Sequence, residues 1–265
     1  MNSEIETRLN LAKDLSIKAG EILISNFGKN FSFEKKEDGS LVSEIDVEIE
    51  KWVIPEIRRN FPEDVILSEE SQKNGGDGVF LWVIDPLDGT HNYIKGINLF
   101  GSSFAICRQG FVQAGVINLP VRGEVFWAVK GEGAYCNSRK ICVSERKLKD
   151  STMIFDSSIG KNPEKLLKVL DILSRKVFNI RMFGSSVWGL CEIARGGAEF
   201  EIEFFDRLWD FAAGLLIIEE AGGKATTLFG EKWSLETQGY VVSNGIFHDE
   251  ILSIFKKTLT EKSSL

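Results

Sequence analysis

The chain has 265 residues, 43% hydrophobic and 27% charged, with a net charge of −7. Such a composition suits a globular chain with a large core and excludes extended disorder or a basic nucleic-acid surface. Only two histidines are present, which leaves little for a histidine zinc site or a Ser-His-Asp triad.

The elements predicted in chain order begin with an amphipathic helix. Ser3 and Glu6 make a capping-box pattern, and apolar residues recur from Ile5 to Leu23, predicting a helix over 4–27. KKEDGSLVSEID reads as a turn entering a second helix over 43–60, with Pro55 expected to kink or split it. DVILSEES reads as a short strand and its exit. VFLWVID, 79–85, is apolar on both parities, as in a sheet covered on both faces. From 100 to 143 the pattern is that of successive hairpins. Asn162-Pro163-Glu164 opens a helix to about 175, followed by a strand near 177–183 and a helix near 185–195. EFEIEFF alternates as a strand, and WDFAAGLLIIEEAGG is a helix stopped by two glycines. ATTLF and YVVSN are strand-like, and a last helix is expected over 249–261. The character changes near 145–152 without a linker. One packed unit of two lobes is therefore expected, about 1–148 and 149–265.

No stretch approaches the about 20 apolar residues of a membrane span. The charged start MNSEIETRLN lacks the apolar segment of a secretory signal, and the four cysteines form no CxxC pair. A cytoplasmic protein with reduced thiols is the expectation, and neither membrane nor nucleic acid is an expected partner.

The chemistry concentrates in LWVIDPLDGTHNYIKG. Asp, Pro and Gly suit a plain turn. A turn does not require two acids in D-x-x-D with a threonine two further on. Read as a site, the strand delivers Asp85 to its end, Pro86 fixes the backbone and Asp88 points the same way. Gly89 and Thr90 then offer N–H groups to a phosphate at the start of a short helix. Two adjacent carboxylates repel unless a cation lies between them, and oxygen ligands favour hard Mg²⁺. Glu69-Glu70 in LSEES suits either a second acidic ligand group or a solvated turn. Asp210 in WDFAAG suits either a ligand or a helix N-cap, and Asp46 in LVSEID a site or a solvated helix face. Haloacid-dehalogenase phosphatases place their acids two apart, not three, and no P-loop, GxGxxG or GxSxG motif is present.

IDPLDGTHNY resembles the DPxDGTxNF signature of the inositol monophosphatase family. LSEES is similar to that family's upstream acidic pair, and WDFAAGLLIIEEAGG to its second signature, WDxAAG…EAGG. The signatures occur in order and the similarity extends over nearly the whole chain. The resemblance implies an α+β fold, a layered α-β-α-β-α sandwich of the inositol monophosphatase and fructose-1,6-bisphosphatase type. It also implies a homodimer, Li⁺ sensitivity and Mg²⁺-dependent hydrolysis of a small phosphorylated polyol or sugar without a phospho-enzyme. Two or three Mg²⁺ ions per site are expected, with Mn²⁺ as a substitute. Mapped by motif, Glu69, Asp85 and the Leu87 carbonyl would hold the first ion, Asp85, Asp88 and Asp210 the second, and Glu69 with waters a third. Thr90 and Asp46 would orient the attacking water, with Glu69 as a proton acceptor. Asp88, Gly89, Thr90, Ser186, Glu203 and Asp210 would contact substrate, with Gly184–Ser186 lining the pocket.

This sequence departs from the family pattern at Tyr93 (usually Phe), His91 and Ser43 (commonly Thr). Lys35 matches a family lysine near the metals if KKEDGS aligns without a gap, and DSSIGKNPE is irregular against the pattern. Rival activities are fructose-1,6-bisphosphatase, 3′-phosphoadenosine 5′-phosphate phosphatase and histidinol-phosphatase. A rival of another class is a regulator that binds the transcription machinery.

Overall fold

The computed structural model describes residues 3–36, 41–75 and 78–260. Part of the turn expected in KKEDGS and the last residue of the final expected helix lie outside these residues.

The first half comprises α1 (Ser3–Asn26), β1 (Phe33–Lys35), β2 (Leu41–Ser43), α2 (Glu44–Asn60), β3 (Val65–Ser68), β4 (Gln72–Gly75), β5 (Phe80–Asp88) and α3 (Thr90–Ile94). A meander follows: β6 (Gly101–Arg108), β7 (Phe111–Leu119), β8 (Glu124–Val129), β9 (Ala134–Cys136) and β10 (Arg139–Ile141). The second half alternates: β11 (Thr152–Phe155), α4 (Pro163–Ser174), β12 (Asn179–Arg181), α5 (Ser186–Ala194), β13 (Phe200–Glu203), α6 (Leu208–Glu220), β14 (Lys224–Thr227), β15 (Tyr240–Ser243) and α7 (His248–Thr260).

An eight-stranded sheet runs β10-β9-β8-β7-β6-β5-β3-β4, and a five-stranded sheet runs β12-β11-β13-β15-β14. Strand alternation assigns their faces. Phe80, Trp82 and Ile84 of β5 pack with the apolar faces of α1 and α2. Val83 lies on the opposite face, in a core built from α5, α6 and both sheets. The outer face of the smaller sheet, including Phe200 and Ile202, is covered by α4 and α7. The layers are therefore α-β-α-β-α, as the resemblance implied.

The middle layer explains why α6 is apolar nearly all round: sheets lie on both sides of it, and Phe211 to Ile218 are buried. Its small residues set the spacing. A Cβ added at Gly115 of β7 would stand 2.8 Å from the Ala213 Cα and 2.8 Å from its carbonyl oxygen.

Pro55 does not split α2, which runs unbroken from Glu44 to Asn60. A proline removes one helical donor. The carbonyl that loses its partner belongs to exposed Lys51, where water can satisfy it, while Ile45, Ile49, Val53 and Ile57 hold the buried face.

Because backbone rather than a flexible side chain blocks the space, Gly115→Ala is expected to destabilise the fold by about 1–3 kcal/mol. Urea denaturation checks this, and an unchanged midpoint would show that β7 and α6 can separate freely.

Candidate functional site

Residues three apart on a regular strand point to opposite faces. Asp85 and Asp88 escape this because β5 is irregular there. Asp85 pairs with Ser103 of β6 and Asp88 with Gly101, so β5 carries one extra residue between them. Pro86, which has no N–H to give the ladder, sits in the bulge. The Leu87 N–H turns to donate to Asp85 Oδ1 at 2.9 Å. Carboxylate oxygens of Asp85, Asp88 and, from the first turn of α6, Asp210 then lie within 4.8 Å of one another.

Gly89 follows with φ +84°, and a Cβ there would stand 2.8 Å from the Leu99 carbonyl oxygen. Both the turn and the close approach require glycine. Thr90 begins α3, and Gly96 follows its end with φ +71°.

Asp88 is held by the start of α5. Ser185 Oγ donates to its Oδ2, and the N–H groups of Ser186 and Val187 reach its two oxygens at 3.3 Å each. Asp210 is the third residue of α6 rather than its N-cap; Arg207 takes that position and its N–H donates to Asp210 Oδ2 at 2.6 Å. This leaves the other Asp210 oxygen for the cluster.

Burial raises all of these acids. The Asp85 carboxyl is pushed well above its ordinary range by desolvation and then by Glu69, Asp88 and Asp210. Desolvation, followed by Asp206 and Asp88, does the same to Asp210. Asp88 rises to about 6, burial outweighing its hydrogen bonds from Ser185, Val187 and Ser186. Oxygen donors from three mutually repelling carboxylates, two buried and one half-buried, fit a hard divalent cation, and Asp85, Asp88 and Asp210 could hold one.

Glu69 stands beside this trio but outside it. Its carboxylate accepts from Lys36 Nζ at 2.8 Å, and the same ammonium reaches Glu70 at 2.6 Å. Lys36 therefore occupies the place considered for Lys35, which is exposed. The strand exit is pinned from behind by Glu50, which accepts from Ser68 Oγ and, at 2.9 Å, from the Glu70 N–H.

Asp46 is buried, not solvated. Its Oδ2 closes a capping box by accepting from the Ser43 N–H at 2.8 Å, and Ser43 Oγ donates to the same oxygen at 2.5 Å. Burial lifts its pKa to about 7 against these bonds. Thr90 Oγ1 lies 3.5 Å from Asp46 Oδ1 and 2.9 Å from the Leu87 carbonyl oxygen, the stronger acceptor by distance.

On the far side of Asp88 and Asp210 is a cavity of about 160 Å³. Gly184, Ser185, Ser186 and Glu203 line it. Sequence reasoning missed two more lining acids, Asp156 and Asp206. Asp156 lay in the segment read as irregular and carried no motif. Asp206 stands four residues before Asp210, just ahead of α6, a spacing that could have drawn notice. Asp156 accepts from the N–H groups of Ser158 and Phe204, at 2.5 and 3.0 Å. Asp206 accepts from Tyr240 Oη at 3.1 Å, and its pKa rises to about 7, chiefly through burial. Behind them, Glu201 is fully buried with no hydrogen-bond partner for either carboxylate oxygen.

The family model described as "Inositol monophosphatase family" matches residues 4–260. The chain belongs to the inositol monophosphatase family. It is 32% identical to the fructose-1,6-bisphosphatase/inositol-1-monophosphatase of Thermotoga maritima over 255 residues, 96% of this chain and 98% of that one. It is 33% identical to the Nus factor SuhB of Pasteurella multocida over 241 residues, 89% of this chain and 90% of that one. The solved structure of a Thermotoga maritima IMPase superposes with a TM-score of 0.89 at 32% identity, covering 96% of this chain and 99% of that one. Among the described residues no helix is long and apolar enough to cross a membrane.

Family membership makes the metal-free state informative. Carboxyls such as Asp46, at about 7, and Asp88, at about 6, hold protons more tightly folded than unfolded, where the ordinary value is about 3.9. The folded state then binds more protons, so stability must fall as pH rises through those values. With EDTA present, the melting temperature is expected to drop from pH 4 to pH 7, less steeply for Asp88→Asn. Saturating Mn²⁺ should reverse the wild-type slope. A rising EDTA slope that Asp88→Asn leaves unaltered would contradict the repulsion described here.

Proposed function

We propose that this chain is a Mg²⁺-dependent phosphatase that hydrolyses the phosphate monoester of a small polyol or sugar, inositol 1-phosphate or a near relative. The observation that carries the reading is the convergence of Asp85, Asp88 and Asp210 within 4.8 Å, with Gly89 and Thr90 beside them on the chain. Asp85, Asp88 and Asp210 would hold the cation, joined by Glu69 and the Leu87 carbonyl. When bound, Mg²⁺ supplies charge neutralisation of the ester and acidification of water.

The remaining roles belong to the chain. The Gly89 and Thr90 N–H groups donate to phosphate oxygens, where equatorial charge builds during in-line attack. Thr90 Oγ1 spends its hydrogen on the Leu87 carbonyl, so it offers a lone pair to a water and turns that water's proton toward itself. Asp46, buried and raised to about 7, lies 3.5 Å from the hydroxyl and is the alternative acceptor of its hydrogen. Glu69 is the proton acceptor once its pairing with Lys36 loosens. Glu203 and Ser186 line the alcohol side. The cavity of about 160 Å³ is smaller than the usual small-molecule site of about 300–1,000 Å³, which favours a small alcohol over a nucleoside.

A second reading follows from the relative named Nus factor SuhB: this chain acts as a regulator that binds the transcription machinery. A full acid set argues that catalysis accompanies any such role.

Phosphate release from inositol 1-phosphate, measured with and without Mg²⁺, tests the reading. Asp85→Asn is expected to lower kcat at least about 10³-fold with an unchanged circular dichroism spectrum, and Thr90→Ala about 10²-fold, the scale of one positioned hydrogen-bonding group. Mg²⁺-independent turnover, or full activity of Asp85→Asn, would refute it. A cellular phenotype that survives Asp85→Asn would support the regulatory reading.

A further inference from the structure

Besides Asp88 and Asp210, three acids line the cavity: Asp156, Glu203 and Asp206, the last close enough to Asp210 to be the largest charge acting on it. Glu203 is over nine-tenths buried, and the hydrogen bond the structure gives its side chain is with Asp156, another acid. One proton shared by that pair still leaves Asp156 and Asp206 as acceptors. Asp156 takes two backbone N–H groups, and Asp206 takes the Tyr240 hydroxyl. These donors are neutral, so they stabilise negative charge without cancelling it. Glu201, unpartnered and fully buried, issues from the same face of β13 as Glu203 and adds a carboxyl behind the wall. No lysine, arginine or histidine stands among the described residues that line the cavity.

Buried acids without a cation are costly, and their field reaches whatever enters the cavity. A second phosphate there would need lysine or arginine partners and meets carboxylates instead. An ammonium group meets the opposite: carboxyl acceptors, whose ionised form it favours, in a small space.

We propose that Asp156 and Asp206 are specificity-determining residues that select a monophosphate ester whose alcohol carries a protonated amine, as in an amino-polyol or aminosugar, and that reject esters with a second anionic group. The inference rests on the phosphatase reading and narrows it. The dual activity named for the Thermotoga maritima relative is thereby not expected of this chain.

The test compares kcat/KM for three esters of similar size with Mg²⁺ present: glucosamine 6-phosphate, glucose 6-phosphate and fructose 1,6-bisphosphate. The amine is expected to gain about tenfold over the neutral sugar, and the bisphosphate to lose at least about tenfold. In Asp206→Asn, the ratio of amine to neutral ester should shrink toward one, whatever the absolute rates, because a merely structural defect would lower the esters together. If that variant fails to fold, product inhibition of the wild-type protein supplies the second measurement: glucosamine should inhibit more tightly than glucose. Equal kcat/KM for all three esters, or equal inhibition by the two sugars, overturns the assignment of Asp156 and Asp206 and leaves the phosphatase reading intact. No Mg²⁺-dependent release from these esters or from inositol 1-phosphate overturns both.

Discussion

Three carboxylates within 4.8 Å of one another, two of them almost wholly enclosed, repel strongly unless a proton or a cation intervenes. That repulsion organises much of what surrounds it. Burial first and then this repulsion lift Asp85 and Asp210 well above the carboxylate range, and the Ser185 hydroxyl and two backbone N–H groups ring Asp88. Such a site stores an affinity for positive charge in the fold itself. It also gives a chain of net charge −7 a strong attraction for cations that is local.

The layers exist to bring these acids together. Asp85 and Asp88 come from the bulged end of β5, Asp210 from α6 and the cap of Asp88 from α5. Both helices lie between the two sheets, so the site forms where the middle layer meets the end of β5. Close packing at Gly115 and Ala213 keeps α6 against the larger sheet. The connection from β13 to α6 carries the acids further, from Glu203 at the end of the strand to Asp206. Asp88, Asp210, Asp206, Asp156 and Glu203 thus form one continuous acidic lining.

Some of this was legible from residue order. Alternation and helical spacing located most elements, and DPLDGT with WDFAAG marked the acids that converge. Local rules misled where the environment decided the outcome. Pro55 looked like a break, but the carbonyl it leaves without a donor faces water. Asp210 looked like an N-cap and is the third residue of its helix. Asp46 resembled a solvated helical acid and is buried in a capping box. Lys36 rather than Lys35 faces Glu69, a choice set by the short β1–β2 hairpin, which no composition rule reports. Asp156 and Glu201 carried no pattern because their neighbours in space come from separate strands and helices.

Chain order alone settled the alternation of helix and strand, the acidic character of the strand exits and the family signatures, since each depends on residues a few positions apart. It could not settle which carboxylates meet. Asp88 and Asp210 are over a hundred positions apart, and Asp156 reaches Glu203 only through the pairing of β11 with β13. Even the shared direction of Asp85 and Asp88 required the bulge opposite β6, a property of two strands rather than one. Burial, which turns these acids from surface charges into a set of mutually repelling carboxyls, arises only when all five layers close.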